Sequence, residues 1–429
     1  MAERHESRAA FVSRFTPLLD QIAAARSADV YPFYEGLDPA RCDGPFREPL
    51  VLVQNDYLGL SRDERVREAA RRAIARHGTS RCSSPLAGGH TELHRQLEAR
   101  LATFLEQESA VVFASGYQAN LGAIAALMQR GDLVVTDLFD HASIVDGARL
   151  SGADYRFFQH NRPAHLAQIL SKVEPGRRVL VVVEGIYSAD GDVVELPEIC
   201  RIAHAHGALV MIDEAHSLGV LGPGGRGAAE AFGMLREVDL IMGTMSKSLA
   251  SVGGFIAGDR CLIDAVAHSA RSLIFSAALP PAGVAAAATA LGILESEPEI
   301  RTRLWRNARA FLDGLNERGL DTMGSATPVI PLRVGDPTQT LALATRLRDR
   351  GVLVCPAIPP MVPARLSRVR GHVTAAHDVD RLCAAIPVIE EECDALGVGR
   401  VRIEGARREP SAPGAAVGPL RRARGAGGA

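Results

Sequence analysis

Apolar positions in this chain fall into two registers. Between residues 51 and 290, short unbroken apolar runs occur at Ser109–Phe113, Leu133–Thr136, Val179–Glu184, Ala208–Asp213 and Leu240–Thr244. Between them, apolar residues recur at helical spacing over Thr91–Leu105, Gln118–Met128 and Leu196–His206. A run without polar alternation predicts a strand covered on both faces. Strand–helix–strand alternation then predicts an α/β fold, a mostly parallel central sheet with helices on both faces. Pro280–Pro281 breaks the chain ahead of a long alanine-rich helix. The pattern divides the chain into an N-terminal arm over 1–50, with one helix around Ser13–Arg26, and a large domain over 51–290. A smaller C-terminal α+β domain follows over 291–395, with a strand at Val329–Val334 and a closing helix at His377–Leu396. The Arg/Gly/Ala-rich stretch 400–429 lacks apolar periodicity and reads as a disordered tail.

Composition narrows the function classes. The 429 residues suit two packed domains. A formal net charge of −2 argues against nucleic acid or an anionic membrane as the main partner. The seven cysteines show no CxxC pair and no metal-ligand spacing, which fits a reducing cytoplasm and no metal site. The N-terminus has no apolar core of a signal peptide, and no run of about 18 apolar residues predicts a membrane span.

In parallel sheets ligands sit beyond the carboxyl ends of the strands, and that is where the chemistry-bearing residues of this sequence cluster. The strand ending at Asp213 is followed by Glu214-Ala215-His216. An acid there can simply cap the next turn, or a buried Asp213 can keep a pyridinium nitrogen protonated while His216 reaches the ring's phenolic oxygen. The strand ending at Thr244 leads into Met245-Ser246-Lys247, with Met245, Leu249, Val252 and Phe255 around the lysine. A lysine after a strand is usually solvated, but apolar surroundings lower an amine's pKa and make it a nucleophile for carbonyls. Thr244 and Ser246 can offer hydroxyls to a phosphate. Ser115-Gly116-Tyr117 forms a strand-to-helix turn, either a plain serine cap or a phosphate site at a helix N-terminus. Asp140-His141 places an imidazole that could stack on a flat cofactor, and Glu184–Asp192 offers Ser188 near the ring.

The set NDYLGL (55–60), HRQLE (94–98), SGYQAN (115–120), DHAS (140–143), EGIYSADGD (184–192), DEAHSLGVLGPGGRG (213–227) and TMSKSLASVGG (244–254) resembles the α-oxoamine synthases, from about residue 30 to 395. The resemblance implies a fold-type I, aminotransferase-like transferase that uses pyridoxal 5'-phosphate. It would condense an amino acid with an acyl thioester, carried on CoA or a carrier protein, with decarboxylation to an α-aminoketone. It also implies a cytoplasmic homodimer. Position by position, it makes Lys247 the lysine that holds the cofactor and acts as acid/base. Asp213 becomes the pyridinium partner, His216 the phenolic-oxygen partner and His141 the stacked histidine. Ser115, Gly116, Tyr117 and Thr244 hold the phosphate, Ser188 places a hydroxyl beside the ring, and Asn55 and Arg370 bind the amino acid, Arg370 through its carboxylate. Three stretches depart from the family pattern, Ser84–Thr91, Ser276–Pro281 and Val362–Arg368, the last in its spacing ahead of Arg370. An aminotransferase or decarboxylase on the same scaffold, and a non-catalytic binding protein, remain open alternatives at this stage.

Overall fold

The computed structural model of the chain describes residues 11–27 and 48–401. The arm expected over 1–50 is therefore described only in part, as a helix over Thr16–Ser27 and the residues around it, and nearly all of the expected tail lies outside the described residues.

Each apolar run becomes a strand because burying a Val, Leu or Ile side chain contributes about 1.5–3 kcal/mol and these runs can be covered from both sides. The central sheet has seven strands: β2 (Ser109–Phe113), β3 (Leu133–Asp137), β4 (Asp154–Phe158), β5 (Val179–Glu184), β6 (Leu209–Asp213), β7 (Leu240–Thr244) and β8 (Gly254–Gly258). Their order is β2-β8-β7-β6-β5-β3-β4, parallel except for β8, which runs antiparallel between β2 and β7. Alternate residues serve opposite cores. Leu180, Val182, Met211 and Met242 pack with Ala123, Ile144 and Val266 from helices Gly116–Leu127, Ala142–Ser151 and Arg260–Ser269. Val181, Val183, Ile212 and Ile241 pack with Leu97, Ile199 and Leu291 from helices Glu92–Phe104, Leu196–Ala205 and Pro281–Ser296.

A second core lies under a three-stranded antiparallel sheet, β11 (Cys355–Ala357), β12 (Arg368–His372) and β9 (Val329–Arg333), and a parallel pair, β1 (Leu50–Val51) with β10 (Val352–Leu353). Leu50 and Leu52, from far upstream, join this core beside Leu332, Leu343 and Ile386. Helix Pro298–Glu317 spans both cores: Ile300 and Leu304 pack in the large one, Phe311 and Leu315 in the small one. The closing helix runs Val379–Ala395, capped by Asp378, whose carboxylate accepts from the Asp380 and Arg381 amides.

The apolar runs stop at the carboxyl edge of the sheet. There Glu184, Asp213 and Thr244 come into line, Glu184 directly opposite Asp213 in register.

Candidate active site

Lys247 lies in a tight loop after β7. The Met245 amide donates to the Gly253 carbonyl (2.9 Å), the Ser251 amide to the Met245 carbonyl (2.9 Å) and the Ala250 amide to the Lys247 carbonyl (3.0 Å). Ala250 holds a left-handed φ of 51°, a costly conformation for a side-chain-bearing residue that only the surrounding packing maintains. Met245, Leu249 and Phe255 are fully buried beneath the loop, whereas Val252, expected beside them, is 63% exposed. Burial lowers the Lys247 amine to about 8, with Arg370 adding to the effect and Asp213 and Glu184 opposing it. At neutral pH that leaves roughly a tenth of the amine unprotonated, against less than roughly a thousandth for an ordinary lysine.

Asp213 ends β6 and is 3% exposed. One carboxylate oxygen accepts from the Asn120 side-chain amide at 2.7 Å, the other from the Ala215 backbone at 2.9 Å. The same Asn120 amide donates to the Ser143 hydroxyl (2.9 Å), which lies 2.8 Å from Nδ1 of His141. The Ser143 backbone amide also donates to Nδ1, so Nδ1 accepts and a neutral His141 carries its proton on Nε2. One buried chain thus fixes both the carboxylate and the imidazole across the sheet edge.

His216 is tied to Tyr57, far upstream, through a 2.7 Å contact between the phenol and Nδ1. Burial pushes the Tyr57 phenol up, so it keeps its proton. Burial, reinforced by Lys247, His372 and Arg370, pushes His216 well below the usual histidine range. Tyr57 therefore donates to Nδ1, and His216 presents Nε2–H as a donor.

Beside them is a cradle for an anion. Helix Gly116–Leu127 begins at Ser115, whose hydroxyl accepts from the Gln118 amide (3.2 Å), leaving the first-turn amides open. Thr244 donates to the Gly253 carbonyl (2.9 Å) and meets the Ser246 hydroxyl at 2.8 Å. A Cβ on Gly116 would come within 3.0 Å of Thr244 Oγ1, and one on Gly254 within 2.6 Å of the Gly116 Cα. The cradle exists because both positions lack a side chain. Tyr117 is 42% exposed, its hydroxyl donates to Asp146, and its ring stands edge-on to His141 at 6.2 Å. Its side chain is thus occupied with the His141 helix rather than the cradle.

The remaining expected residues meet these from the smaller body. Arg370 on β12 donates to the Ser188 carbonyl (2.5 Å), and its Nε has no partner. The Ser188 amide donates to Glu184 (3.3 Å). Asn55 leaves its buried Oδ1 without a partner. The charges of Lys247, Arg370 and Asp213 all act on His141, and those of Lys247 and Arg370 on His216, so these five residues lie close together.

Besides Asn120 and Ser143, three residues escaped the sequence reading. Glu184, 3% exposed, accepts from the Ser188 backbone amide, and burial followed by the neighbouring Asp213 raises it to about 8. Tyr57 lies inside the quoted NDYLGL motif, but nothing in the sequence ties it to His216. His372 could have been found from strand periodicity, since it follows Arg370 by two positions and shares its face.

A pyridoxal phosphate fits these groups. The open helix N-terminus with Thr244 and Ser246 suits a phosphate, Asp213 suits a protonated ring nitrogen, Nε2–H of His216 suits a phenolic oxygen, and the Lys247 amine suits an aldehyde.

Comparison with known proteins gives the same direction. The aminotransferase class I and II family model matches residues 47–386. The 8-amino-7-oxononanoate synthase of Geobacter metallireducens is 43% identical over 354 residues, covering 82% of this chain and 90% of that protein. The serine palmitoyltransferase of Bacteriovorax stolpii is 37% identical over 378 residues, covering 87% and 90%. A Mycobacterium tuberculosis relative, 42% identical over 380 residues, is about twice as long: the match takes in 86% of this chain but spans only 48% of that protein. Among solved structures, a serine palmitoyltransferase with PLP superimposes with a TM-score of 0.85 at 33% identity, over 90% of this chain and 99% of that one.

Proposed function

Because the chain belongs to the aminotransferase class I and II family, among its α-oxoamine synthases, we propose that it binds pyridoxal phosphate and condenses an amino acid with an acyl thioester. Carbon dioxide and the free thiol leave, and an α-aminoketone remains. The observation that carries this reading is the pairing of Lys247, held near 8 by burial, with Asp213, fixed by Asn120 at the ends of adjacent strands.

The cofactor, when bound, supplies an aldehyde for the amino group and a protonated ring that spreads negative charge from Cα. Asp213 would hold the proton at the ring nitrogen. Nε2–H of His216 would donate to the phenolic oxygen, and Ser188 would place a hydroxyl beside the ring. The His141 ring, set by Ser143 and Asn120, would stack on one face. Arg370 takes the amino acid's carboxylate, because its fork presents two parallel donors. Asn55 lies on the same side. Lys247, as the free amine, would act as the base that takes the proton from Cα. The amine that first holds the cofactor is thereby the base that uses it, and its lowered affinity for protons serves both tasks.

We place the protein in the cytoplasm as a homodimer. Among the described residues no helix is long and apolar enough to cross a membrane. Phe275 (72% exposed) and Leu86 (74%) leave an apolar surface that a second copy would cover.

Assaying thiol release from several acyl thioesters with a panel of amino acids tests the reaction. Lys247→Ala should lower the rate by 1,000-fold or more, on the order of 4 kcal/mol. A normal rate in that variant would remove Lys247 from the mechanism.

A further inference from the structure

His160 lies just past the edge strand β4, and both of its ring nitrogens meet a carboxylate. Nδ1 is 2.8 Å from Asp137, at the end of β3, and Nε2 is 3.2 Å from Asp192, in the loop after β5. A carboxylate only accepts, so both nitrogens must donate, which an imidazole does only when charged. The carboxylates are themselves held in the ionised form by other donors. Asp137, fully buried, accepts from the backbone amides of Phe139 (2.8 Å) and Asn161 (2.6 Å), and Asp192 from the Asn161 side-chain amide (3.0 Å). Burial opposes a charge on the ring, but the bonds to Asp137 and Asp192 outweigh it and raise His160 to about 10. The Phe139 ring stacks on the imidazole at 4.5 Å, and the Tyr187 ring stands edge-on to it at 4.5 Å. Burial, then Asp137, keep the Tyr187 phenol protonated, so it faces His160 as a neutral group.

These anchors lead to the site. Phe139 stands two residues before His141 in the loop after β3. Asp192 closes the loop after β5: its carbonyl accepts from the Tyr187 amide (3.0 Å), and the Gly191 amide donates to the Tyr187 carbonyl (2.8 Å). Ser188 lies inside that closed turn, and its carbonyl accepts from Arg370 (2.5 Å). Take away the charge on the imidazole, and Asp137 and Asp192 confront each other as like charges. Asp137 is fixed by β3, whereas the Asp192 side chain is 33% exposed and can swing out, taking the loop with it.

We propose that His160 is a positioning residue of the active site: its charged ring ties the loop after β5 to the loop after β3, and so holds Ser188, and Arg370 braced against it, in the arrangement that binds the amino acid. This rests on the proposed reaction and adds to it a residue that acts through others.

The test is a binding titration of the cofactor-loaded protein, reading the change in cofactor absorbance with L-serine, L-alanine and glycine without acyl donor, beside a fluorescence titration of cofactor affinity. His160→Gln, uncharged and with a single donor group, should weaken amino acid binding about ten-fold or more. Cofactor affinity should stay within about two-fold, because the phosphate cradle stands on helix Gly116–Leu127 and Thr244 rather than on this loop. Adding Asp192→Asn removes the repulsion, so the double variant should recover to within about three-fold of wild type. A ring that merely filled space would not be rescued by a change of charge at Asp192. Nitrogen-15 spectra of histidine-labelled wild type need no variant: at pH 8 both ring nitrogens of His160, assigned through its contact with Phe139, should carry protons. A bare ring nitrogen there would overturn the inference while leaving the reaction standing. So would unchanged amino acid binding in His160→Gln, an equal loss for cofactor and amino acid, or no recovery in the double variant. Absence of any absorbance change in wild type with all three amino acids would instead remove the reaction and the inference together.

Discussion

Lys247, Glu184 and Asp213 form a set in which burial and charge compete residue by residue. Burial drives Lys247 down and Glu184 up, each to about 8, while Lys247 draws Glu184 back towards its charged form. A carboxyl raised in the folded protein keeps a proton that the unfolded chain has already lost. Its contribution to stability therefore falls as pH rises from about 4.5 to about 8 and is level outside that window. Glu184→Gln retains an acceptor for the Ser188 amide but cannot ionise. It should match wild type below pH 4.5 and exceed it at pH 8, by on the order of 4 kcal/mol, in denaturant melts run across that range. A constant difference at all pH values would contradict the raised Glu184.

At the scale of elements, the close contact of β8 with the start of helix Gly116–Leu127 decides whether the phosphate cradle exists. Gly254→Ala would place a methyl 2.6 Å from the Gly116 Cα and 2.8 Å from its amide. Backbone cannot yield as a flexible side chain does, so the turn should shift, at a cost of about 1–3 kcal/mol. Cofactor affinity, read by fluorescence titration, should drop more than ten-fold while the far-UV spectrum stays native. Unchanged affinity would separate the cradle from the glycine contact. These same elements show what the sequence could and could not disclose. β3, β5, β6 and β7 were legible because doubly covered strands need unbroken apolar runs, and the acid or hydroxyl at each end marked the functional edge. β8 was not, because Gly254-Phe-Ile-Ala-Gly258 has too few side chains to register as a run. β4 was not, because Asp154-Tyr-Arg-Phe-Phe158 is a sheet edge and carries polar, exposed residues. The site followed the same logic. Residues at strand ends were found from the sequence. Partners supplied by distant segments, such as Tyr57 for His216 and Asn120 for Asp213, needed the fold to be seen.

The large and small bodies meet along helix Pro298–Glu317 and again at the loop after β5. Arg368, fully buried, binds Asp190, and Ser325 and Thr327 donate to the Gly191 carbonyl (3.2 and 2.8 Å), so the smaller body grips the segment that carries Ser188. The carboxylate binding proposed for Arg370 would thereby be mechanically linked to the loop that carries Ser188. The exposed Phe275, held under Arg271 at 4.9 Å, lies on the face where the proposed second copy would pack. Phe275→Glu should shift the mass seen by light scattering at micromolar concentration from dimer to monomer, and a monomeric wild type would contradict the proposed assembly. The account as a whole stands on one amine meeting one aldehyde. Its most direct test is to incubate the protein with pyridoxal phosphate at pH 8, reduce with borohydride, digest, and map the added pyridoxyl mass by peptide sequencing. The mark should fall on Lys247 at one equivalent per chain and vanish in Lys247→Ala. A mark on Lys172 instead, or none at 247, would contradict it.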